Sequence, residues 1–198
     1  MPPPGTCIHS AADMALARRK DSLGALMAPN TPGGADIMSI KVREMLDDDA
    51  LVFLQVHHAA VRGIAAKDYP PGVVEDWAPM PITNQSIERF LTNPDGELRL
   101  VAEIDGRIVG IGALVLAKSE LRACYVAPQA ARRGVGSALV HELERIGRDN
   151  GLAKLQMDSS MTAEPFYLAH GYNVCGRGEH RLRSGRRMAC VKMEKGLK

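Results

Sequence analysis

Tyr125-Val126-Ala127-Pro128-Gln129-Ala130-Ala131-Arg132-Arg133-Gly134-Val135-Gly136-Ser137-Ala138-Leu139 is the stretch on which the fold turns. A β-type run breaks at a proline, passes two arginines and two glycines, and enters an amphipathic segment. Leu139, Leu143 and Ile146 recur there at helical spacing, while Glu142, Glu144, Arg145 and Arg148 take the other side. Glu144 and Arg148 stand at i,i+4, and Asn150-Gly151 offers the positive φ at which a helix stops. Strand, loop and helix in this order read as an anion site. The first turn of a helix leaves backbone N–H groups without intrahelical partners and gathers positive dipole, so a diphosphate can rest there if no side chain blocks it. Gly134 and Gly136 clear the approach and Arg132 and Arg133 add charge, which makes Arg132, Arg133, Gly134, Val135, Gly136 and Ser137 the candidate phosphate contacts.

Two phosphate loops are excluded by what is missing. The chain has no Gly-x-x-x-x-Gly-Lys-Ser/Thr, and Gly134-x-Gly136 meets Leu139 where a dinucleotide fingerprint needs a third glycine. By itself Arg-Arg-Gly-x-Gly also admits a plain glycine-rich turn with solvated arginines.

The residues that follow narrow the choice. Val126-Ala127-Pro128, Ala131-Arg132-Arg133-Gly134-Val135-Gly136, a strand-like Lys154-Leu155-Gln156-Met157-Asp158, and Ala163-Glu164-Pro165-Phe166-Tyr167-Leu168-Ala169-His170-Gly171-Tyr172 come in this order. Together they resemble the GNAT family of acyl-coenzyme A dependent N-acetyltransferases, specifically from Glu120 to Tyr172 and more diffusely from Ser39 to Met193. One departure is Ala131, where the family usually has Gln or Arg; Arg132 and Arg133 are expected to compensate.

Working outward, residues 1 to 37 read as an appendage expected to be mostly disordered, bracketed by Pro2-Pro3-Pro4-Gly5 and Asn30-Thr31-Pro32-Gly33-Gly34 and lacking the apolar core of a signal peptide. Residues 38 to 198 then form one domain. Ser39 to Met45 is strand-like, and Asp47 to Lys67 is helical, with Leu51, Leu54, Val56, Ala60 and Ile64 on one side. Further helix is expected through Trp77 and from Asn84 to Leu91. Leu98 to Ile104 and Arg107 to Leu116 form a hairpin about Asp105-Gly106, a pair suited to a type I′ turn. Strands at Glu120 to Val126 and 154 to 158, a helix bearing Tyr167, and two last strands turning at Ser184-Gly185 complete the chain. The fold class is α/β (α+β). The resemblance implies a mixed, mostly antiparallel sheet with a central splayed parallel pair and helices on both faces.

Composition excludes several classes. With 198 residues, 45% hydrophobic and 24% charged, the chain is long enough for one domain with a core, and no apolar run approaches a membrane span. A net charge of +2 is too mild to imply nucleic acid. Cys7, Cys124, Cys175 and Cys190 are scattered, which argues for reduced thiols in a cytoplasmic protein over a zinc site. No metal is expected: Arg145 stands where a zinc-helix motif starting at His141-Glu142 needs its second histidine, and His57 and His58 read as surface or half-buried side chains.

The resemblance implies acetyl-coenzyme A as the donor, with backbone groups of Cys124, Tyr125 and Val126 pairing with its pantetheine arm and polarising the thioester. It also implies Tyr167 as the acid that protonates the departing thiolate. An acceptor amine with a pKa of about 10.4 is protonated at neutral pH, so a base or water chain must take its proton. Glu120 is the candidate, six residues before Val126 and therefore expected on the same strand face; Glu103 is the substitute. Cys124 has no predictable histidine to activate it, and Ser159 and Ser160 are read as cofactor contacts or a helix cap. The resemblance implies a small-molecule or peptide amine as acceptor, met by the loop between the first two helices and the last hairpin, which offer Tyr69, Trp77, His180, Arg181 and Arg183, while Tyr69 and Trp77 equally read as hydrophobic packing; a homodimer stays open. Two other classes stay open as well: a non-catalytic acyl-coenzyme A sensor, and a nucleic-acid or anionic-surface binder using the basic end from Arg177 to Lys198.

Overall fold

A computed structural model describes residues 39–198, so the appendage expected at 1 to 37 lies outside the described residues. In chain order the elements are β1 (Ile40–Glu44), α1 (Ala50–Gly63), α2 (Pro71–Trp77), α3 (Asn84–Leu91), β2 (Leu98–Ile104), β3 (Arg107–Val115), β4 (Glu120–Val126), α4 (Val135–Asp149), β5 (Lys154–Ser159), α5 (Glu164–Ala169), β6 (Asn173–Arg181) and β7 (Arg187–Gly196). The hairpin between β2 and β3 turns as its sequence requires, with Asp105 at φ 51° and Gly106 at φ 71°. Asn150 and Gly151 end α4, the glycine at φ 74°.

The strands make one sheet in the order β1-β2-β3-β4-β5-β7-β6, antiparallel throughout except between β4 and β5. That parallel contact is a single residue pair, Glu120 with Gln156, supported by the Gln156 N–H bonding the Ser119 carbonyl at 2.9 Å. Each strand is held on its far edge, β4 by β3 and β5 by β7, and among the described residues Glu120 and Gln156 are the one ladder pair between the two.

Alternation on the strands feeds two layers. Leu100, Leu114 and Leu121 meet Leu139 and Leu143 of α4 on one face, and Leu155 and Met193 extend that core toward α5. Val101 and Ile111 meet Phe53 and Val56 of α1 on the other. The buried stripe of α1 runs through Ala50, Phe53, Val56, Ala60 and Val61, so Leu51, expected inside, is 42% exposed. The bulkier Phe53 sets the rotation of the helix by stacking on Phe90 of α3 at 4.9 Å.

Glu144 departs further from expectation. The pattern assigns it to solvent beside Arg148, but it is buried at 3% exposure, both carboxylate oxygens on Lys195 of β7 at 2.7 and 2.8 Å, with Arg148 at 3.9 Å. A buried carboxylate persists only when paired, and its partner lies 51 residues away, beyond the reach of helix periodicity. Removing one partner strands the other charge. Lys195→Met is therefore expected to lower unfolding stability by about 2–3 kcal/mol, and Glu144→Leu combined with it to lose clearly less; urea unfolding of both variants measures the difference, and equal losses would contradict a paired burial.

Candidate active site

The loop entering α4 holds the anion-site geometry. Arg132 at φ 64° and Gly134 at φ 85° both take the left-handed region, which turns the chain into the helix. The first intrahelical bond into α4 is from Ala138 N–H to the Gly134 carbonyl at 3.0 Å, leaving the amides of Val135, Gly136 and Ser137 as open donors at the positive end of a 15-residue helix. Gly136 has a second reason to be glycine: a Cβ there would lie 3.1 Å from the Phe166 ring. Phe166 closes over the loop from α5, and His170 fastens the same two elements. Its Nδ1 lies 2.7 Å from the Phe166 carbonyl and its Nε2 2.9 Å from Ser137 Oγ. The carbonyl can only accept, so Nδ1 carries the proton and the Ser137 hydroxyl donates to Nε2. Ser137 thus keeps its backbone N–H, and not its hydroxyl, for a ligand.

From this loop an apolar groove of about 280 Å³ runs along β4, walled by Cys124, Val126, Gly136, Ala163 and Phe166. Which β4 backbone groups face it follows from the register. The Ala127 N–H bonds the Val109 carbonyl at 2.8 Å and Tyr125 lies opposite Ile111, so Tyr125 and Ala127 direct their backbone toward β3. Cys124 and Val126, the alternate residues, direct N–H and C=O into the gap beside β5. Of the three residues expected to offer backbone groups, Tyr125 does not; its ring instead faces His57 and Trp77 at 4.7 and 6.2 Å.

Where β4 and β5 part lies a cavity of about 100 Å³ whose lining includes Glu120, Cys124, Asp158, Tyr167 and His180. The two expected catalytic side chains therefore meet at one space. Glu120 arrives by a different route than simple alternation. Ala113 pairs with Ala123 but Leu114 pairs with Leu121, so Arg122 is an extra, bulged residue that shifts the pleat by one. Leu121 joins Val126 and Cys124 on the α4 side, and Glu120 turns to the opposite face, shared with Tyr125. Both Glu120 oxygens bond Arg122 at 2.8 Å, and Arg122 also reaches Asp95 and Glu97.

Tyr167 is 5% exposed and packs edge-on to Phe166 and Tyr172. Burial raises its pKa well above the ordinary phenol value, so it carries its proton at neutral pH. Burial likewise pushes the Cys124 thiol up to about 12, which leaves it neutral and unsuited to nucleophilic attack. Ser160 is a helix cap, accepting from Ala163 N–H at 3.2 Å. Asp158, which the sequence reading passed over as a strand residue, holds His180 Nδ1 at 3.1 Å and Lys192 Nζ at 3.1 Å on the cavity wall. Glu103, the substitute base, is bound to Arg43 at 2.7 Å on β2 and lines none of these spaces.

A larger cleft of about 360 Å³ adjoins this cavity on the α1 side, sharing Trp77, Ala123, Tyr125 and His180 with it. His57 faces this cleft, its pKa lowered by burial and by His58 to about 3, so it is neutral. Trp77, His180, Arg181 and Arg183 line these spaces. Tyr69 does not: it is buried, its hydroxyl donating to the Ala189 carbonyl at 2.9 Å and accepting from Met161 N–H at 2.8 Å, so it pins β7 to the turn before α5. Among the described residues no three His, Cys, Asp or Glu side chains gather as metal ligands.

A family model described as an acetyltransferase (GNAT) domain matches residues 65–197. The chain is similar to a GCN5-related N-acetyltransferase from Rhodopseudomonas palustris at 28% identity and TM-score 0.73, over 82% of this chain and 99% of that one. The fold is shared with a PaiA N-acetyltransferase from Thermoplasma acidophilum in complex with coenzyme A, at 21% identity and TM-score 0.58, over 80% and 99% of the chains. It is shared too with a putative acetyltransferase, YncA, from Salmonella typhimurium with acetyl-CoA, at 19% identity and TM-score 0.59, over 80% and 94%. No curated protein matches the chain.

The anion loop is tested by a backbone change. Gly134→Val forces a β-branched residue to φ 85°, at a cost of about 1–3 kcal/mol or a shifted loop. It is expected to weaken binding of inorganic pyrophosphate at least severalfold by calorimetry while the circular dichroism spectrum stays that of the parent; undiminished binding would remove the loop from the site.

Proposed function

The chain belongs to the GNAT acetyltransferase family, and on that premise we propose that it moves an acetyl group from acetyl-coenzyme A to a primary amine by direct attack within a ternary complex. The observation that carries this reading is the gap beyond the Glu120–Gln156 pair, which joins the open amides of α4 to the cavity holding Tyr167 and Glu120. The residues fit the donor. The amides of Val135, Gly136 and Ser137, with Arg132 and Arg133, would take its diphosphate, and the backbone of Cys124 and Val126 its pantetheine arm and thioester carbonyl.

Glu120 accepts the ammonium proton, directly or through water, and the freed amine forms the C–N bond as the C–S bond breaks, its nitrogen shedding a second proton to water. Tyr167 gives its phenolic proton to the departing sulfur and regains one from solvent. The neutral thiol of Cys124 supports direct transfer without an acyl-enzyme. Free thiols at Cys124, Cys175 and Cys190 support the cytoplasm as the proposed location.

Acetyl-coenzyme A is expected to raise the melting temperature, and an amine panel assayed for coenzyme A release to show turnover. Binding with no thiol release from any amine would favour a sensor. Tyr167→Phe is expected to lower single-turnover acetyl transfer by about 10²-fold or more with little change in donor affinity; transfer at the parent rate would make Tyr167 a packing residue. For Glu120→Gln the loss should be large at neutral pH and shrink as pH rises, because free amine then becomes abundant without a base. A ratio of rates that stays flat with pH would argue against Glu120 as that base.

A further inference from the structure

The basic C-terminal hairpin is only partly absorbed by the fold, and what is left over points at one place. Of its seven lysine and arginine side chains five are held by carboxylates: Arg177 by Glu164, Arg186 by Asp76, Arg187 by Glu179, Lys192 by Asp158 and Lys195 by Glu144. This neutralisation argues against a broad anionic-surface binder. Among the described residues Arg181 and Arg183 have no ion-pair partner, and both line the cleft of about 360 Å³ beside the reaction cavity. Arg89 of α3, also without an ion-pair partner among the described residues, lines the same cleft.

The cleft holds no acid to spare for them. Asp76 bonds Arg186 at 2.6 Å and the Ser184 hydroxyl at 2.8 Å, Asp95 bonds Lys118 and Arg122, and Glu97 bonds Arg99 and Arg122. The grip of Asp76 on Ser184 and Arg186 also fastens the tip of the hairpin to α2, which holds Arg181 and Arg183 at the cleft. Three unneutralised guanidinium groups around an aromatic floor of Trp77, Tyr125 and neutral His57 form a receptor for an oxyanion. The adjoining cavity is lined by Glu120, the carboxylate read above as the base for the amine, so the two spaces together offer one end to an amine and the other to an oxyanion.

We propose that the acceptor is a small amine that also carries an oxyanion, a carboxylate or a phosphate, with its amine toward Glu120 and its anionic end held by Arg89, Arg181 and Arg183. This rests on the acetyltransferase reading and names the substrate class of that site. Charge-assisted bonds from these arginines to the anionic end account for selectivity of about tenfold or more over an amine lacking it.

The test uses matched pairs with acetyl-coenzyme A as donor: 4-aminobutyrate against butylamine, and O-phosphoethanolamine against ethanolamine. Donor binding is followed separately by thermal shift. The expected result is a kcat/KM for coenzyme A release at least about tenfold higher for the anionic member of one pair or both, the larger ratio telling carboxylate from phosphate. In the double variant Arg181→Gln/Arg183→Gln that ratio should fall toward one, and these exposed hairpin residues carry no core packing. If the donor fails to stabilise the protein, the acetyltransferase reading itself falls, and this proposal with it. If the donor binds but the uncharged members react as well or better, or no member of either pair reacts, or the double variant keeps the parent ratio, the acceptor class is overturned while the reading of the donor site stands.

Discussion

The one-residue parallel junction between β4 and β5 is the constraint on which the rest depends. A fully zipped parallel pair would spend the backbone groups of Cys124 and Val126 on β5 and leave no space for Tyr167 to face. Because only Glu120 and Gln156 pair, the sheet keeps its continuity at one end and opens at the other. The opening is not a defect in stability, since β4 and β5 are each secured on the far edge and the core beneath is filled by Leu121, Leu155 and Met157. It leaves the main-chain groups of Cys124 and Val126, which a sheet normally consumes, open to the gap.

Around that opening the two ends of the site are mechanically joined. Phe166 rests on Gly136 and the Ser137 hydroxyl bonds His170, so the helix carrying Tyr167 is braced on the loop that would hold a diphosphate. The bulge at Arg122 performs the matching task on the other face. It turns Glu120 toward the face of Tyr125, and the same arginine binds Glu120, Asp95 and Glu97, fixing the carboxylate in place. The loop entering α4 and the carboxylate of Glu120 are thus served by opposite faces of a single strand.

Local chemistry was readable wherever it depends on neighbours in the chain. The Asp105-Gly106 turn, the stop at Asn150-Gly151 and the helix start after Gly134 each need particular backbone angles that few residues accept, and each appears where expected. Long-range partners were not readable. Glu144 looks like a solvent residue until Lys195 of β7 is placed over it, and Tyr69 looks like a pocket residue until its hydroxyl is seen to bridge Ala189 and Met161. The face of Glu120 was misassigned for a related reason: a bulge breaks the period of two, and nothing in Glu-Leu-Arg-Ala-Cys announces it. Asp158 was missed because a single aspartate on a strand gains meaning only from His180 and Lys192 across the sheet.

Amide hydrogen exchange of the protein with and without coenzyme A tests the central claim most directly. If the gap beside β4 is the donor site, the amides of Cys124 and Val126, which face no strand, and those of Val135, Gly136 and Ser137 exchange readily in the free protein and become protected together on binding. The Tyr125 amide, already directed at β3, should change far less. Protection confined to other elements, or binding that leaves the Cys124 and Val126 amides as they were, would contradict the account.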